Sequence, residues 1–384
     1  VGKLVHLTNW LETQWVAPAY SGWLLLILAI FFFGAATNTL AGWLYVLSGV
    51  MMALLLIAAV LSTRTLKGLQ IQRSPIEPVT VGDVLTIEVV LTNSTAQPKQ
   101  LLEIHDLLPH VLGQPTRTVI DTIQAGREFH WVYHQPTQRR GVFGWQTLQL
   151  RTAAPLGLFW CQRFQTAKAT AIVYPTVLPL ICCPLLDELD QVSSPQFFSR
   201  DHRSHPSAEG LTRSLRPYRW GDSTRLIHWR TSARFGELQV RELEILKGGQ
   251  EVIICLDSAS SWQDDIFEQA VIATASLYFY ACRQGLNTQV WTARTGLLKG
   301  DYSVLEALAA VYSDEPLAAS PPRSPLVWLS QTAANLNILP TGSRWILWSI
   351  GLSGERFFAA NAPGLSINPE QPLQSQLQRS LESV

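Results

Sequence analysis

The chain has 384 residues, of which 47% are hydrophobic and 15% charged, with 29 Lys and Arg balanced by 29 Asp and Glu. At about 100–200 residues per domain this length predicts two or three domains. The apolar content excludes disorder, and zero net charge argues against a surface devoted to nucleic acid. Five cysteines, with Cys182 and Cys183 adjacent and no C-x-x-C pair, argue against a disulfide framework or a structural zinc site. They read as reduced, mostly buried thiols.

No charge occurs from Thr13 to Thr63. Two apolar runs, 17–36 and 40–61, each approach the ~20 residues that cross a bilayer. They predict a transmembrane hairpin over 1–66, with 34–39 as its turn. Trp15, Tyr20, Trp23, Trp43 and Tyr45 suit the interfaces. Lys3 precedes the first run, Arg64, Lys67 and Arg73 follow the second, and the turn has no Lys or Arg. The positive-inside rule therefore predicts a multi-pass protein of the plasma (inner) membrane with its soluble portion in the cytoplasm.

Over 67–179 the pattern changes to short β-branched runs. Residues 84–91 follow the turn signal Gly82-Asp83, and similar runs lie at 101–104, 118–123, 129–133, 147–151, 159–164 and 170–174. This spacing predicts an antiparallel β-sandwich. His130 and His134 would share one strand face, but no third or fourth ligand accompanies them, so they read as ordinary strand positions. Residues 180–199 have little pattern and read as a linker.

Residues 200–241 hold nine arginines and no lysine. Arg offers a planar fork where Lys offers a mobile point charge, so the segment reads as fixed hydrogen-bond geometry. That geometry is either internal scaffolding, through Asp222, Glu209 and carbonyls, or a binding surface. Gly221-Asp222 predicts a turn, with Asp222 capping a short helix in which Arg225 and Trp229 stack at i,i+4. Gly236 ends that helix. Residues 237–245 predict a strand with a bulge near Arg241-Glu242. Strand 251–257, helix 265–283, strand 288–292, helix 304–312 and strand 345–350 then predict a Rossmann-like, doubly wound and mainly parallel α/β domain over 200–384. Ligands of such sheets bind at the C-terminal strand ends, where Asp257 lies.

The stretch from Gly210 to Arg234 resembles the signature of the DUF58 family through Arg216, Tyr218, Gly221, Asp222, Arg225, Ile227, Trp229, Ser232, Ala233 and Arg234. Arg139-Arg-Gly-Val142, Pro155-Leu-Gly-Leu-Phe159 and the N-terminal hairpin also resemble that family. His228 stands where the family usually has Asp, and Ala154 where Asp commonly precedes Pro155. The resemblance implies a C-terminal domain similar to a von Willebrand factor A domain. It also implies work beside a MoxR-type AAA+ ATPase in assembling or metallating other proteins. It makes Arg216, Tyr218, Gly221, Asp222, Arg225, Trp229, Ser232 and Arg234 the expected motif and binding residues.

An A-domain ion site uses D-x-S-x-S plus later Thr and Asp ligands, hard oxygens suited to Mg²⁺. Here Asp257 and Ser261 remain, Ala259 replaces the middle ligand, and no Asp follows 345–350. Neither Mg²⁺ nor another cofactor is expected. No Ser/His/Asp order, Walker loop or H-E-x-x-H appears. The expected function is therefore a non-enzymatic, membrane-anchored interaction or assembly protein, with the lipid bilayer and a protein as partners. Two alternatives stand beside it. One is an enzyme using Asp222, His228 and the arginines on an anionic substrate. The other is a metal-dependent ligand-binding protein acting through Asp257.

Overall fold

The structure is a computed structural model that describes residues 12–13, 15–187, 211–218, 227–244, 251–348 and 363–379. It divides into two compact units, Val1–Thr176 with Leu305–Ala310, and Val177–Val304 with Val311–Val384.

The first unit opens with strand β1 (Ala17–Pro18) and two helices, α1 (Tyr20–Thr39) and α2 (Gly42–Thr65), both long and apolar enough to cross a membrane. Their 20 and 24 residues rise about 30 and 36 Å at 1.5 Å per residue. Two boundaries differ from expectation. Ala17 and Pro18 are apolar yet pair with a later strand instead of starting a span. Residues 34–39 remain helical, with the Thr37 and Thr39 hydroxyls bonding back to the Gly34 and Ala35 carbonyls. The turn falls at Leu40, in the left-handed region at φ 53°. Small residues line the contact between the helices. Ala29, Ala36 and Ser48 are buried there, and Ser48 Oγ donates to the Ala29 carbonyl at 2.9 Å. Ile27, Phe31, Val46 and Leu56 point outward and are exposed.

Eight strands follow: β2 (Leu69–Arg73), β3 (Val79–Thr80), β4 (Val84–Asn93), β5 (Lys99–Asp106), β6 (Thr116–Ile123), β7 (Glu128–Pro136), β8 (Gly141–Thr152) and β9 (Phe159–Tyr174). One antiparallel sheet runs β2-β4-β7. The other runs β1-β9-β8-β5-β6, with β3 parallel on β9. Alternation in β4 turns Leu85, Ile87, Val89 and Leu91 inward to a core shared with Ile104, Ile120, Leu148 and Leu150 of the second sheet. The runs 159–164 and 170–174 are one strand, β9, because β8 pairs with it continuously across a bulge at Trp145/Thr147.

A polar knot interrupts this core. The Asp106 carboxylate accepts from Arg73 Nη2 at 2.5 Å, Tyr133 OH at 2.6 Å and Trp145 Nε1 at 3.1 Å. Burial pushes the Asp106 carboxyl up, and the three donors oppose that push; burial likewise lowers Arg73. Burial, and then the Asp106 charge, drive the Tyr133 hydroxyl far above its ordinary value. Arg73, which reads in the sequence as a flank charge of the hairpin, is thus a core residue. His130 and His134 lie exposed on β7, pairing with Glu88 (2.9 Å) and Thr86 (3.2 Å) across the strand pair.

In the second unit, Leu180, Cys183, Leu185 and Leu186 are buried. Their segment is pinned by Arg283 Nη2 donating to Leu180 O at 2.6 Å and Tyr280 OH to Asp187 Oδ1 at 2.7 Å. Beyond it lie β10 (Leu211–Pro217), α3 (Trp229–Phe235), β11 (Gln239–Glu244), β12 (Glu251–Leu256), α4 (Asp264–Arg283), β13 (Asn287–Thr292), β14 (Gly296–Leu298), the start of α5 (Asp301–Ala310, whose residues 305–310 belong to the first unit), β15 (Leu326–Ser330), β16 (Arg344–Trp348), β17 (Gly364–Ile367) and α6 (Leu373–Leu377). The large sheet runs β14-β13-β12-β15-β16-β17, parallel except for β14. The chain leaves β12 to one side for β13 and returns on its other side as β15. Their shared edge is therefore the point where strand order reverses. Among the described residues, β10 pairs with β11 alone.

Candidate functional site

Two places combine the residue types singled out in the sequence. The first is the β10–α3–β11 module. β10 and β11 pair antiparallel, with Arg213 as an extra residue between Thr212 and Ser214. The bulge is thus on β10, opposite the predicted Arg241-Glu242 slip. Ile227 bridges to Val240, and the His228 amide donates to Gln239 O at 2.8 Å. Residue 227 is therefore extended, and the helix starts at Trp229 with His228, not Asp222, as its N-cap. The His228 Nδ1 accepts from the Thr231 amide at 3.2 Å and pairs with the Thr231 hydroxyl at 2.7 Å. The imidazole thus does the work an Asp does at this position. With Nδ1 occupied there, an acid–base role for this ring loses one of its two nitrogens.

Ser232 is buried and joins helix to strand. Its Oγ donates to His228 O at 3.0 Å and accepts from the Gln239 amide at 2.8 Å. Gly236, at φ 74°, closes α3 by donating to Ser232 O at 2.9 Å. The Tyr218 amide is held by Leu238 O at 2.8 Å.

The opposite side of this small scaffold is open. Trp229 is 65% exposed and Phe235 69%, with Leu215 and Leu238 also exposed. Arg230 and Arg234 are exposed beside them, without an ion pair among the described residues. Glu237 is the one acid from 229 to 238. The sequence-predicted residues thus divide by role. Ser232 and the Tyr218 backbone build the module, whereas Trp229 and Arg234 face outward. Arg216 lies on β10. Gly221, Asp222 and Arg225 lie outside the described residues.

The second place is the C-terminal end of β12. Asp257 is buried, and its Oδ2 accepts from Ser260 Oγ at 2.8 Å and Ser330 Oγ at 3.0 Å. Its carbonyl accepts from Trp262 Nε1 at 2.6 Å. Ser261 turns away and donates to Asp314 Oδ2 at 3.4 Å. The segment after α5 crosses the strand ends: the Glu315 amide donates to Ser258 O at 2.9 Å and the Ala318 amide to Ala293 O at 2.9 Å. The strand that meets Asp257 is β15, not β16, and it supplies a hydroxyl where the sequence reading looked for an acid after 345–350. Ser260, Ser330 and Asp314 were not singled out in the sequence; only the topology brings them to Asp257 and Ser261. Among the described residues no group of three or more His, Cys, Asp or Glu converges to hold a metal ion.

Residues 214–319 match the model of a family described as "Protein of unknown function DUF58". That segment begins inside β10, takes in α3, β11 and Asp257, and ends before β15 and Ser330. The chain is also similar to "Uncharacterized protein YeaD" of Bacillus subtilis (strain 168), 27% identical over 289 residues, covering 72% of this chain and 69% of that protein. Solved structures overlap it weakly. A Listeria innocua β-glucosidase in complex with gluconolactone aligns over 26% of this chain and 16% of its own length, with 12% identity and a TM-score of 0.14. A Vibrio harveyi GH20 exo β-N-acetylglucosaminidase aligns over 73% and 56%, with 10% identity and a TM-score of 0.18. TM-scores this low establish no common fold.

Proposed function

We propose that this chain is a membrane-anchored, non-enzymatic interaction protein. The apolar hairpin anchors it in the plasma membrane with both ends in the cytoplasm, supported by Lys3, Arg64 and Lys67 once Arg73 is set aside as a core residue. The parallel sheet with Asp257 at the strand-order reversal supports a von Willebrand factor A-like reading of the C-terminal domain.

The observation that carries the proposal is the outward face of the β10–α3–β11 module. Exposed Trp229 and Phe235 stand beside Arg230 and Arg234, which have no ion pair among the described residues. Aromatic and Arg side chains dominate binding energy at protein interfaces. In a chain of zero net charge, an Arg-rich face favours oriented docking on an acidic protein surface. The DUF58 resemblance makes a MoxR-type AAA+ ATPase the partner to try first.

The test titrates such an ATPase against the full chain in nanodiscs at increasing salt. The double variant Arg230→Gln, Arg234→Gln is expected to bind more weakly and with a flatter salt dependence, while melting as the parent does. Parental affinity at every salt concentration would place the binding face elsewhere.

A further inference from the structure

Residues 153–158, Ala-Ala-Pro-Leu-Gly-Leu, form a turn without one hydrogen-bonding side chain. Three carbonyls of this turn, those of Ala154, Gly157 and Leu158, are taken up by the helical hairpin. Ala154 O accepts from Ser62 Oγ at 3.1 Å, Gly157 O from Ser21 Oγ at 2.7 Å, and Leu158 O from the Ala19 amide at 2.9 Å. The Gly157 amide closes back onto Ala153 O at 2.8 Å. Gly22 permits the approach, since a Cβ there would collide with Leu158 O. Flanking contacts extend the fastening. β1 pairs with β9 at Trp160 and Phe159, Arg151 Nε meets Glu12 at 2.5 Å, and Arg163 Nη1 donates to Thr13 O at 2.6 Å.

A turn facing water leaves its carbonyls to the solvent. A turn at the edge of hydrocarbon has no such solvent, and each unpaired carbonyl is penalised. The pairing of the Ala154, Gly157 and Leu158 carbonyls fits the second setting, while those of Pro155 and Leu156 are left to the polar headgroup region. What the turn leaves outward is apolar: Pro155 and Leu156 are exposed, with Trp15 and Tyr20 exposed nearby in sequence to the Ala19–Gly22 contact. The helices set the level. The turn meets α1 at its first residues, and α1 rises about 30 Å, the thickness of a hydrocarbon core. It meets α2 at Ser62, in the last turn of a helix about 36 Å long that overruns that core. Arg64 and Lys67 are exposed just beyond, at the level of headgroup phosphates.

We infer that the 153–158 turn is a lipid-contacting element in which Pro155 and Leu156 enter the bilayer interface beside the hairpin. The occupant is lipid, because the patch continues the outward apolar surface of α1 and α2. The inference rests on the hairpin being a membrane anchor, and it adds a third, non-spanning insertion. Its consequence is mechanical: the β-sandwich is held in one orientation on the membrane rather than swinging from a linker.

The experiment uses the full chain carrying Cys182→Ser and Cys282→Ser in phosphatidylglycerol-containing nanodiscs. A nitroxide is placed at residue 156, at Val132 on the exposed face of β7, or at Phe31 on the outward face of α1. Collision with membrane-soluble oxygen and with a water-soluble nickel chelate is read at each. At 156 the expected result is strong oxygen relaxation with loss of nickel relaxation, as at Phe31 and opposite to Val132. Nickel access at 156 with none at Phe31 overturns the inference and leaves the anchor standing. Nickel access at both overturns the anchor as well. Shielding of 156 from both reagents means that protein covers the turn, which also overturns the inference.

Discussion

Replacing Asp106 by Ala tests whether the polar knot organises the sandwich core. The Arg73 side chain is 1% exposed, and its Nε and Nη1 already lack hydrogen-bond partners. Removing the carboxylate strands the remaining guanidinium donor together with Tyr133 OH and Trp145 Nε1. Breaking a buried pair from one side costs about 3–5 kcal/mol, and each stranded neutral donor adds about 1 kcal/mol or more. The sum, about 5 kcal/mol or more, is a large part of the roughly 5–15 kcal/mol that holds a domain folded. At about 1.4 kcal/mol per decade, exchange of the β4 and β7 amides in the full chain should accelerate by roughly three orders of magnitude or more. The paired replacement Arg73→Met, Asp106→Leu removes both charges and leaves only the two neutral donors unsatisfied, about 2 kcal/mol. It should therefore recover most of the lost protection. Two results would refute the reasoning: exchange in Asp106→Ala within a factor of a few of the parent, or a paired variant no better protected than the single one.

Other sites give sharper, smaller effects. Gly22→Ala should destabilise the full chain by the cost of overpacking, about 1–3 kcal/mol, and so lower its melting temperature, because the new methyl group meets Leu158 O; an unchanged melt would mean that helix and turn are not in contact. Burial pushes the Cys183 thiol up to about 12, whereas Cys182 is exposed, so Ellman's reagent at pH 8 should modify Cys182 and spare Cys183 until the chain unfolds. Reaction at Cys183 in the folded protein would contradict its placement. His228→Ala should cost about 1 kcal/mol through loss of the α3 cap, whereas His228→Asp should restore it. Equal melting of both variants would remove the capping role.

Where one local signal dominated, the sequence was readable. The uncharged stretch from Thr13 to Thr63 announced the two helices, and strict alternation announced β4. Errors arose where a distant partner decided the outcome. Ala17 and Pro18 continue an apolar run, yet Trp160 and Phe159 of β9 draw them into a sheet. Arg73 looks like a charge beside a span, but its partner Asp106 lies 33 residues away on the facing sheet. β15 is buried at all five positions, so it shows neither helical nor alternating periodicity and escaped notice. With it went Ser330, the residue that meets Asp257.

The arginine-rich segment raises a choice between internal scaffolding and an outward surface, and within the β10–α3–β11 module Arg230 and Arg234 are exposed. Its scaffold rests on small donors and acceptors: the Ser232 hydroxyl, the His228 ring, and the amides of Tyr218 and Gly236. None of these contacts requires a guanidinium. Arg230 and Arg234 sit at i,i+4 on α3 and face outward, where two like charges at that spacing destabilise a helix slightly. In the proposed docking, Arg230 and Arg234 meet an anionic partner surface, an acceptor that would turn their repulsion into a net gain. The side chains that shape the module and those that face outward from it are therefore different residues. Substituting the second group should leave the first undisturbed.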